Sequence, residues 1–356
     1  MRTSIPAGAP CRLSVRNTSR PLLLRLLFLI CLTAVLLTAG ACKRKAEPLS
    51  ETRFQLNTFV TITLYDNPDK AILEGAFALV KEYEGVFSKT IETSEVYRIN
   101  HRKPGEDTFT LSDDTAALLR EALEYAEKTD GAYDITIEPV STLWNFSENP
   151  GEVPPEEEIR EAVSRVDYRN ISLSGNTLTF RTDDVTIDLG SIAKGYIADR
   201  VKDYLVNAGV KSAIINLGGN VLCVGDKEGN PFRIGLQKPF SDHSDTFGSL
   251  EIRDMSVVTS GVYERNFIKD GRNYHHILDP KTGYPCESGL VAVTIVSSRS
   301  VDGDALSTSC FLLGPERGIA LLDSMEGIYG YFVTEDYDVL FSDGAEALVK
   351  DMEGAS

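Results

Sequence analysis

The sequence predicts an α+β fold, and three observations predict it. Strand-like and helix-like segments are mixed without the strand–helix–strand rhythm of a parallel sheet. Residues 54–65 alternate, with Val60, Ile62 and Leu64 on one face and Thr61 and Thr63 on the other, as a half-buried strand does. Strand-rich sequence then dominates the second half, with single helices between. The 356 residues leave room for a large single domain or two lobes, and no internal repeat is present.

Taken in order, residues 42–53 read as a polar tether and 54–345 as the folded domain. Asn67-Pro68-Asp69 opens a helix with Ile72, Ala76, Leu79, Val80 and Tyr83 near helical spacing. Ser112-Asp113-Asp114 caps a second helix that buries Leu118, Leu119, Ala122, Leu123 and Ala126 and stops at Gly131. Residues 147–155, rich in Pro, Glu and Gly, read as an exposed loop before an acidic helix. A hairpin turns at Ser174-Gly175-Asn176. Residues 185–187 form a β-branched run, expected as a strand, and 196–208 an amphipathic helix. An apolar strand at 213–217 ends in Gly218-Gly219-Asn220. A further hairpin turns at Lys269-Asp270-Gly271. Residues 289–296 read as a buried strand, 304–313 and 319–325 as helices, and a closing hairpin spans 327–342.

Composition narrows the function. Hydrophobic residues make up 42% of the chain, as in a globular protein. The net charge is −17, although the first 41 residues carry five arginines and no acid. So acidic a body argues against non-specific nucleic-acid binding, which needs basic surface to replace phosphate counterions. An anionic nucleotide would need a metal or a local cation to be held.

Arg2, Arg12, Arg16, Arg20 and Arg25 precede the apolar run 26–41, which ends in small residues before Cys42. That pattern resembles a bacterial lipoprotein signal occupying residues 1–41, with Cys42 lipidated. An uncleaved membrane anchor is the other reading, but it does not require a small-small-Cys ending. Either places the body on the extracytoplasmic side of a bacterial membrane, in the cell envelope. Cys223, Cys286 and Cys310 are too few and too unevenly spaced for a disulfide framework or a zinc site.

The junction at residues 188–200 carries the first chemical signal. Gly190, Ser191, Lys194 and Gly195 lie between a strand-like run and a helix, where close backbone approach and free N–H groups favour an anion. The spacing is neither a Walker A loop nor a dinucleotide fingerprint. A phosphate site and an ordinary helix N-terminus both remain open on this pattern alone.

Three more clusters follow the same logic. They are Gly131-Ala132-Tyr133-Asp134, then Tyr274-His275-His276-Ile277-Leu278-Asp279-Pro280-Lys281-Thr282-Gly283-Tyr284-Pro285, then Asp302-Gly303-Asp304-Ala305-Leu306-Ser307-Thr308. Asp304 and Thr308, at i and i+4, share one helix face, although capping alone would also explain Asp304. His275 and His276 would face opposite sides of a strand, so at most one enters any given site.

In this order, and together with residues 215–220 and 260–265, the clusters resemble the ApbE family of flavin transferases. The resemblance spans nearly all of the chain beyond the signal. It implies mixed sheets and helices in two lobes with an FAD cleft between them. It implies Mg2+-dependent transfer of FMN from FAD to a Thr or Ser hydroxyl of a target flavoprotein, releasing AMP. Redox-pump subunits are the implied acceptors. The resemblance assigns Asp304, Thr308 and the Ala193 carbonyl to the metal and His276 to catalysis. It assigns Leu56, Ala132, Tyr133, Asp134, Gly190, Lys194, Tyr196 and Ile277 to the flavin nucleotide. Leu56-Asn57-Thr58 replaces the family's Met-Gly-Thr, and Thr90 stands near a stacking Tyr of some members, a role Tyr97 could fill. Trp144 reads as core. The family's acceptor pattern, roughly Asp/Ser-Gly-Ala followed by Ser/Thr, fails at Asp343-Gly344-Ala345-Glu346, so self-modification is not expected. Two other activities fit the same residues: an FAD pyrophosphatase, and a lipoprotein that only binds FAD.

Overall fold

The computed structural model describes residues 47–149, 151–241 and 245–352. The signal at 1–41 and the expected lipidation site Cys42 lie outside the described residues. No helix among the described residues is long and apolar enough to cross a membrane.

The chain opens with a hairpin where sequence alternation suggests one strand. β1 (Leu49–Gln55) and β2 (Thr58–Leu64) pair antiparallel around Leu56-Asn57. Both turn residues have positive φ, 54° and 55°, the twist a two-residue hairpin loop demands. Alternation has the same period on both sides of the turn, so it conceals the break. β1 also claims residues expected in the tether, and the sheet therefore begins at Leu49.

α1 (Lys70–Phe87) starts at Asp69, whose carboxylate accepts from the Ala71 N–H. α2 (Glu95–Asn100), β3 (Thr108–Thr110) and α3 (Asp113–Lys128) follow, and Ser112 caps α3. A 3-10 turn at Ile135–Ile137 leads into α4 (Glu138–Trp144), then α5 (Glu156–Val163). β4 (Ile171–Ser174) and β5 (Thr177–Phe180) form the expected hairpin and, with β3, a three-stranded sheet. Residues 185–187 join no sheet. Asn100 takes the place of a neighbouring strand, bonding both the N–H and the C=O of Ile187 at 2.8 Å.

α6 (Ala193–Asn207), β6 (Ser212–Leu217), β7 (Asn220–Gly225), β8 (Phe232–Gln237), β9 (Thr246–Ile252) and β10 (Ser256–Gly261) come next. β11 (Asn266–Lys269) and β12 (Arg272–His275) turn at Asp270-Gly271. β13 (Leu290–Ser297) is buried at every position, as its unbroken apolar run predicts. α7 (Ser300–Asp323) breaks at Gly314-Pro315, so the two helices expected from sequence are one element with a kink. β14 (Tyr329–Thr334), β15 (Val339–Phe341) and β16 (Val349–Lys350) close the fold. β16 pairs with β9, which extends the folded body past residue 345.

The central sheet has eight strands in the order β1-β2-β6-β7-β10-β13-β14-β15, each pair antiparallel. α6 and α7 pack on it and on each other, and α1 packs on β1 and α6. Val60, Ile62 and Leu64 meet Leu73, Ala76, Phe77 and Val80 in the main core. A second, smaller core gathers Val140, Trp144, Ile159, Ala162 and Leu278. Trp144 is fully buried there and donates its Nε1–H to the Gly283 carbonyl at 2.7 Å, the core role expected of it.

Candidate functional site

The site forms where the first turns of α6 and α7 meet. α6 has no side-chain cap of its own. Its Gly195 N–H donates to Oδ2 of Asp304 at 2.8 Å, so a carboxylate from α7 satisfies one orphan amide of α6. A Cβ on Gly195 would lie 2.3 Å from the Ser300 carbonyl oxygen and 2.6 Å from Val301 Cα. Glycine is what lets the two helices approach this closely. α7 is capped from α6 in return. The Asp199 carboxylate accepts from the N–H groups of Ser300, at 2.8 Å, and Val301, at 3.0 Å.

Asp304 is buried and its other oxygen is also oriented. Asn220 Nδ2 donates to Oδ1 at 3.3 Å, and Ser300 Oγ donates to Asn220 Oδ1 at 2.8 Å. Asn220 was not singled out by its sequence pattern, since a lone Asn after two glycines reads as turn chemistry. One turn beyond Asp304, Thr308 lies partly open, its hydroxyl 3.4 Å from Ser260 Oγ. Asp302 stands apart from this group, holding the Tyr125 hydroxyl at 2.7 Å.

Of the two readings open for the junction before α6, its backbone follows the ordinary helix N-terminus rather than a cradle of free N–H groups. Gly190 N–H donates to Asp188 Oδ1, Ile192 and Ala193 N–H donate to the Leu189 carbonyl, and Gly195 N–H is held by Asp304. Four of its amides are thus engaged inside the chain. The Asx turn at Asp188 takes one of them, the Leu189 carbonyl two, and Asp304 from α7 the fourth. What the junction offers instead is the Ala193 end of α6 beside Asp304, and the cation of Lys194. Among the described residues Lys194 has no hydrogen-bond or ion-pair partner, and its charge is close enough to His276 to act on it.

The strand expected to carry both histidines ends at His275, and His276 lies just past it. The His275 ring meets Phe311 edge-on at 5.8 Å, in the core. His276 is fixed by its N–H to the Arg265 carbonyl at 3.1 Å, and its buried Nδ1 has no partner. Burial, reinforced by the charges of Arg265, His275 and Lys194, lowers its pKa to about 3, so the ring is neutral at pH 7.

Tyr133 is fully buried, and its hydroxyl accepts from Ser191 Oγ at 3.0 Å. Burial pushes its pKa well up, and the charges of Asp304, Asp188 and Asp134 add to the shift. Asp134 beside it is spent on the fold. Its oxygens accept from the Thr136 N–H and hydroxyl and from the Tyr168 N–H, at 2.6 to 2.8 Å. Ala132 in the same loop is half-buried.

Tyr196 takes a core place. Its hydroxyl donates to Asp114 at 2.7 Å, and its ring meets Tyr83 and Phe87 edge-on. Ile277 is buried in the main core. Leu56 sits half-buried in the hairpin turn, its N–H held by Glu84 at 2.8 Å. Tyr97 stacks on His101 with centroids 3.7 Å apart, so one face of its ring is already covered.

Comparisons with known proteins identify the family and the fold. A family model described as the ApbE family matches residues 56–332. The chain belongs to the ApbE family. An FAD:protein FMN transferase of Klebsiella pneumoniae is 39% identical over 285 residues, covering 80% of this chain and 88% of the relative. One of Treponema pallidum is 32% identical over 335 residues, covering 88% and 92%. In three dimensions this ApbE chain resembles the ApbE protein of Thermotoga maritima. The TM-score is 0.77 at 34% identity, covering 85% of this chain and 99% of that one. The flavin transferase ApbE of Vibrio cholerae gives the same TM-score at 28% identity. The mixed helices and antiparallel sheets are therefore an ApbE fold.

Proposed function

We propose that this chain is an FAD:protein FMN transferase that moves FMN from FAD to a Thr or Ser hydroxyl of a target flavoprotein and releases AMP. The observation that carries the reading is the meeting of Asp304 with the α6 turn that bears Lys194, whose charge acts on His276, a ring with an unpartnered Nδ1.

The donors suit Mg2+. Asp304 offers a carboxylate whose oxygens each receive one N–H donor and retain a lone pair, Thr308 a hydroxyl, and Ala193 a backbone carbonyl. No group of three His, Cys, Asp or Glu that could hold a metal exists among the described residues. One carboxylate with neutral oxygens is what Mg2+ uses when substrate phosphate and water complete its shell. When bound, it neutralises charge on the pyrophosphate oxygens. Lys194 adds a cation on the same side, which a chain of net charge −17 needs to hold an anion.

In the transfer, the acceptor oxygen attacks the FMN phosphorus and the bond to the AMP oxygen breaks. The acceptor proton goes to His276. Its neutral ring is free to take that proton, and negative phosphate nearby raises its basicity. Half-buried Leu56 supplies apolar surface toward the flavin, and buried Tyr133 backs the loop beside it. Cys42 as a lipid anchor would hold the domain on the extracytoplasmic face, near membrane redox subunits as acceptors.

One assay tests the proposal. Purified protein is mixed with FAD, Mg2+ and a protein carrying the acceptor pattern. Acceptor-bound FMN supports transfer. Free FMN with AMP indicates a pyrophosphatase, and intact FAD a binding protein.

A further inference from the structure

Between α1 and the junction lies a group of side chains that the reaction above does not use. Lys89 Nζ is 2.9 Å from Asp188 Oδ2, 2.8 Å from Ser141 Oγ and 3.0 Å from Thr142 Oγ1. These contacts use all three ammonium donors. Ser141 Oγ also donates to Asp188 Oδ2 at 2.7 Å. Glu138 flanks the group, 3.8 Å from Lys89, and accepts from Thr186 Oγ1 at 2.7 Å. Lys89 and Asp188 keep only 23% and 20% of their side-chain surface exposed.

The two lysines of the site therefore differ in kind. Lys194 has no partner among the described residues and is available to an anion, whereas Lys89 has no donor left to give. Its effect passes through Asp188, whose Oδ1 holds the Gly190 N–H at 2.9 Å and whose own N–H is bonded to the Ile135 carbonyl at 2.8 Å. Asp188 thus ties the turn leading to Ala193 to the loop that carries Tyr133 and Asp134. Burial opposes the Asp188 charge. The Lys89 charge and the bonds from Lys89, Ser141 and Gly190 outweigh that and hold its carboxyl below the usual range.

We propose that Lys89 is a positioning residue: it clamps Asp188 against α4 and so sets the turn 190–193 and the Ala193 carbonyl for the flavin nucleotide. This rests on the transferase reading for its purpose, but the clamp itself can be measured without flavin.

The test uses the purified full-length protein with Lys89→Met, Lys89→Arg and the double variant Lys89→Met/Asp188→Asn. Hydrogen exchange is followed across residues 188–195 in flavin-free protein. FAD affinity is measured from pH 5.5 to 8.5. Lys89→Met is expected to speed exchange in that segment at least tenfold, to weaken FAD binding about tenfold at pH 8.5, and to make that binding pH-dependent. Lys89→Arg should stay within about threefold of the wild type with a flat profile, and the double variant should restore the flat profile. Unchanged exchange in Lys89→Met would overturn the clamp whatever FAD does. Equal weakening at every pH, unrestored by Asp188→Asn, would place Lys89 on the nucleotide and also overturn it. A wild type that binds no FAD, with the exchange response intact, would overturn the transferase reading and the positioning role while leaving the contact in place.

Discussion

The N–H of Gly195 donates to the carboxylate of Asp304 at 2.8 Å, so the first turn of α6 is capped by a residue in the second turn of α7. A helix amide and a candidate metal ligand are thereby held in one geometry. The contact depends on a backbone approach that only glycine permits, since Cβ would meet the Ser300 carbonyl oxygen at 2.3 Å.

Gly195→Ala is expected to separate the two helices. Overpacking of this kind costs about 2 kcal/mol, readable as a lower urea midpoint. FMN transfer should fall at least 100-fold, because Ala193 and Asp304 move apart.

Asn220→Ala removes the donor to Asp304 Oδ1 and strands the Ser300 hydroxyl. Groups that orient a ligand typically contribute roughly 10–100-fold in metal affinity. The Mg2+ concentration for half-maximal transfer should rise by about tenfold or more, with a smaller change in FAD affinity. A titration of transfer rate against Mg2+ reads this directly.

The histidines set an acid limit on stability. The folded pKa values are about 4 for His275 and about 3 for His276, both lowered first by burial from the ordinary 6.5. The unfolded chain therefore binds protons first, and their contribution, present above pH 6.5, is lost as pH falls toward 3. Asp199 has the opposite sign. Burial raises its pKa to about 6, so the folded state binds the extra proton between the ordinary 3.8 and 6, and stability falls as pH rises through that window. Urea midpoints at pH 4.5 and 7.5 separate the two. The pH loss on acidification should shrink in His275→Asn/His276→Asn and grow in Asp199→Asn.

The chain should not flavinylate itself. Asp343-Gly344-Ala345 is followed by Glu346 rather than a hydroxyl residue, and Ala345 is fully buried at the start of a 3-10 turn. Incubation with FAD and Mg2+ alone should leave no flavin fluorescence on the denatured protein.

Much of this was legible in the sequence because it is local. Asp304 and Thr308 share a helix face through their spacing, the Asp270-Gly271 turn follows from its residue types, and β13 is read from an unbroken apolar run. Errors arose where one pattern admits two structures. Alternation through Leu56-Asn57 has the same period in a strand and in a hairpin, and residues 185–187 look like a strand until Asn100 is seen to serve as their partner. The junction's pattern leaves its amides undecided because sequence does not show that Asp188 and Asp304 fold back onto them. Lys89, Ser141 and Asp188 come from three separate segments, and no spacing rule links them. Tyr196 illustrates the converse. Its motif places it near the nucleotide, but its immediate partners are Asp114, Tyr83 and Phe87 in the core.

The central claim is that Asp304 serves the transfer rather than the fold alone. Its most direct test is acceptor flavinylation by wild type and Asp304→Ala with FAD and Mg2+, read by in-gel flavin fluorescence beside circular dichroism. The wild type should label the acceptor, and Asp304→Ala should react about 1,000-fold more slowly or worse while retaining its folded signal. Undiminished FMN transfer by a folded Asp304→Ala protein would contradict it.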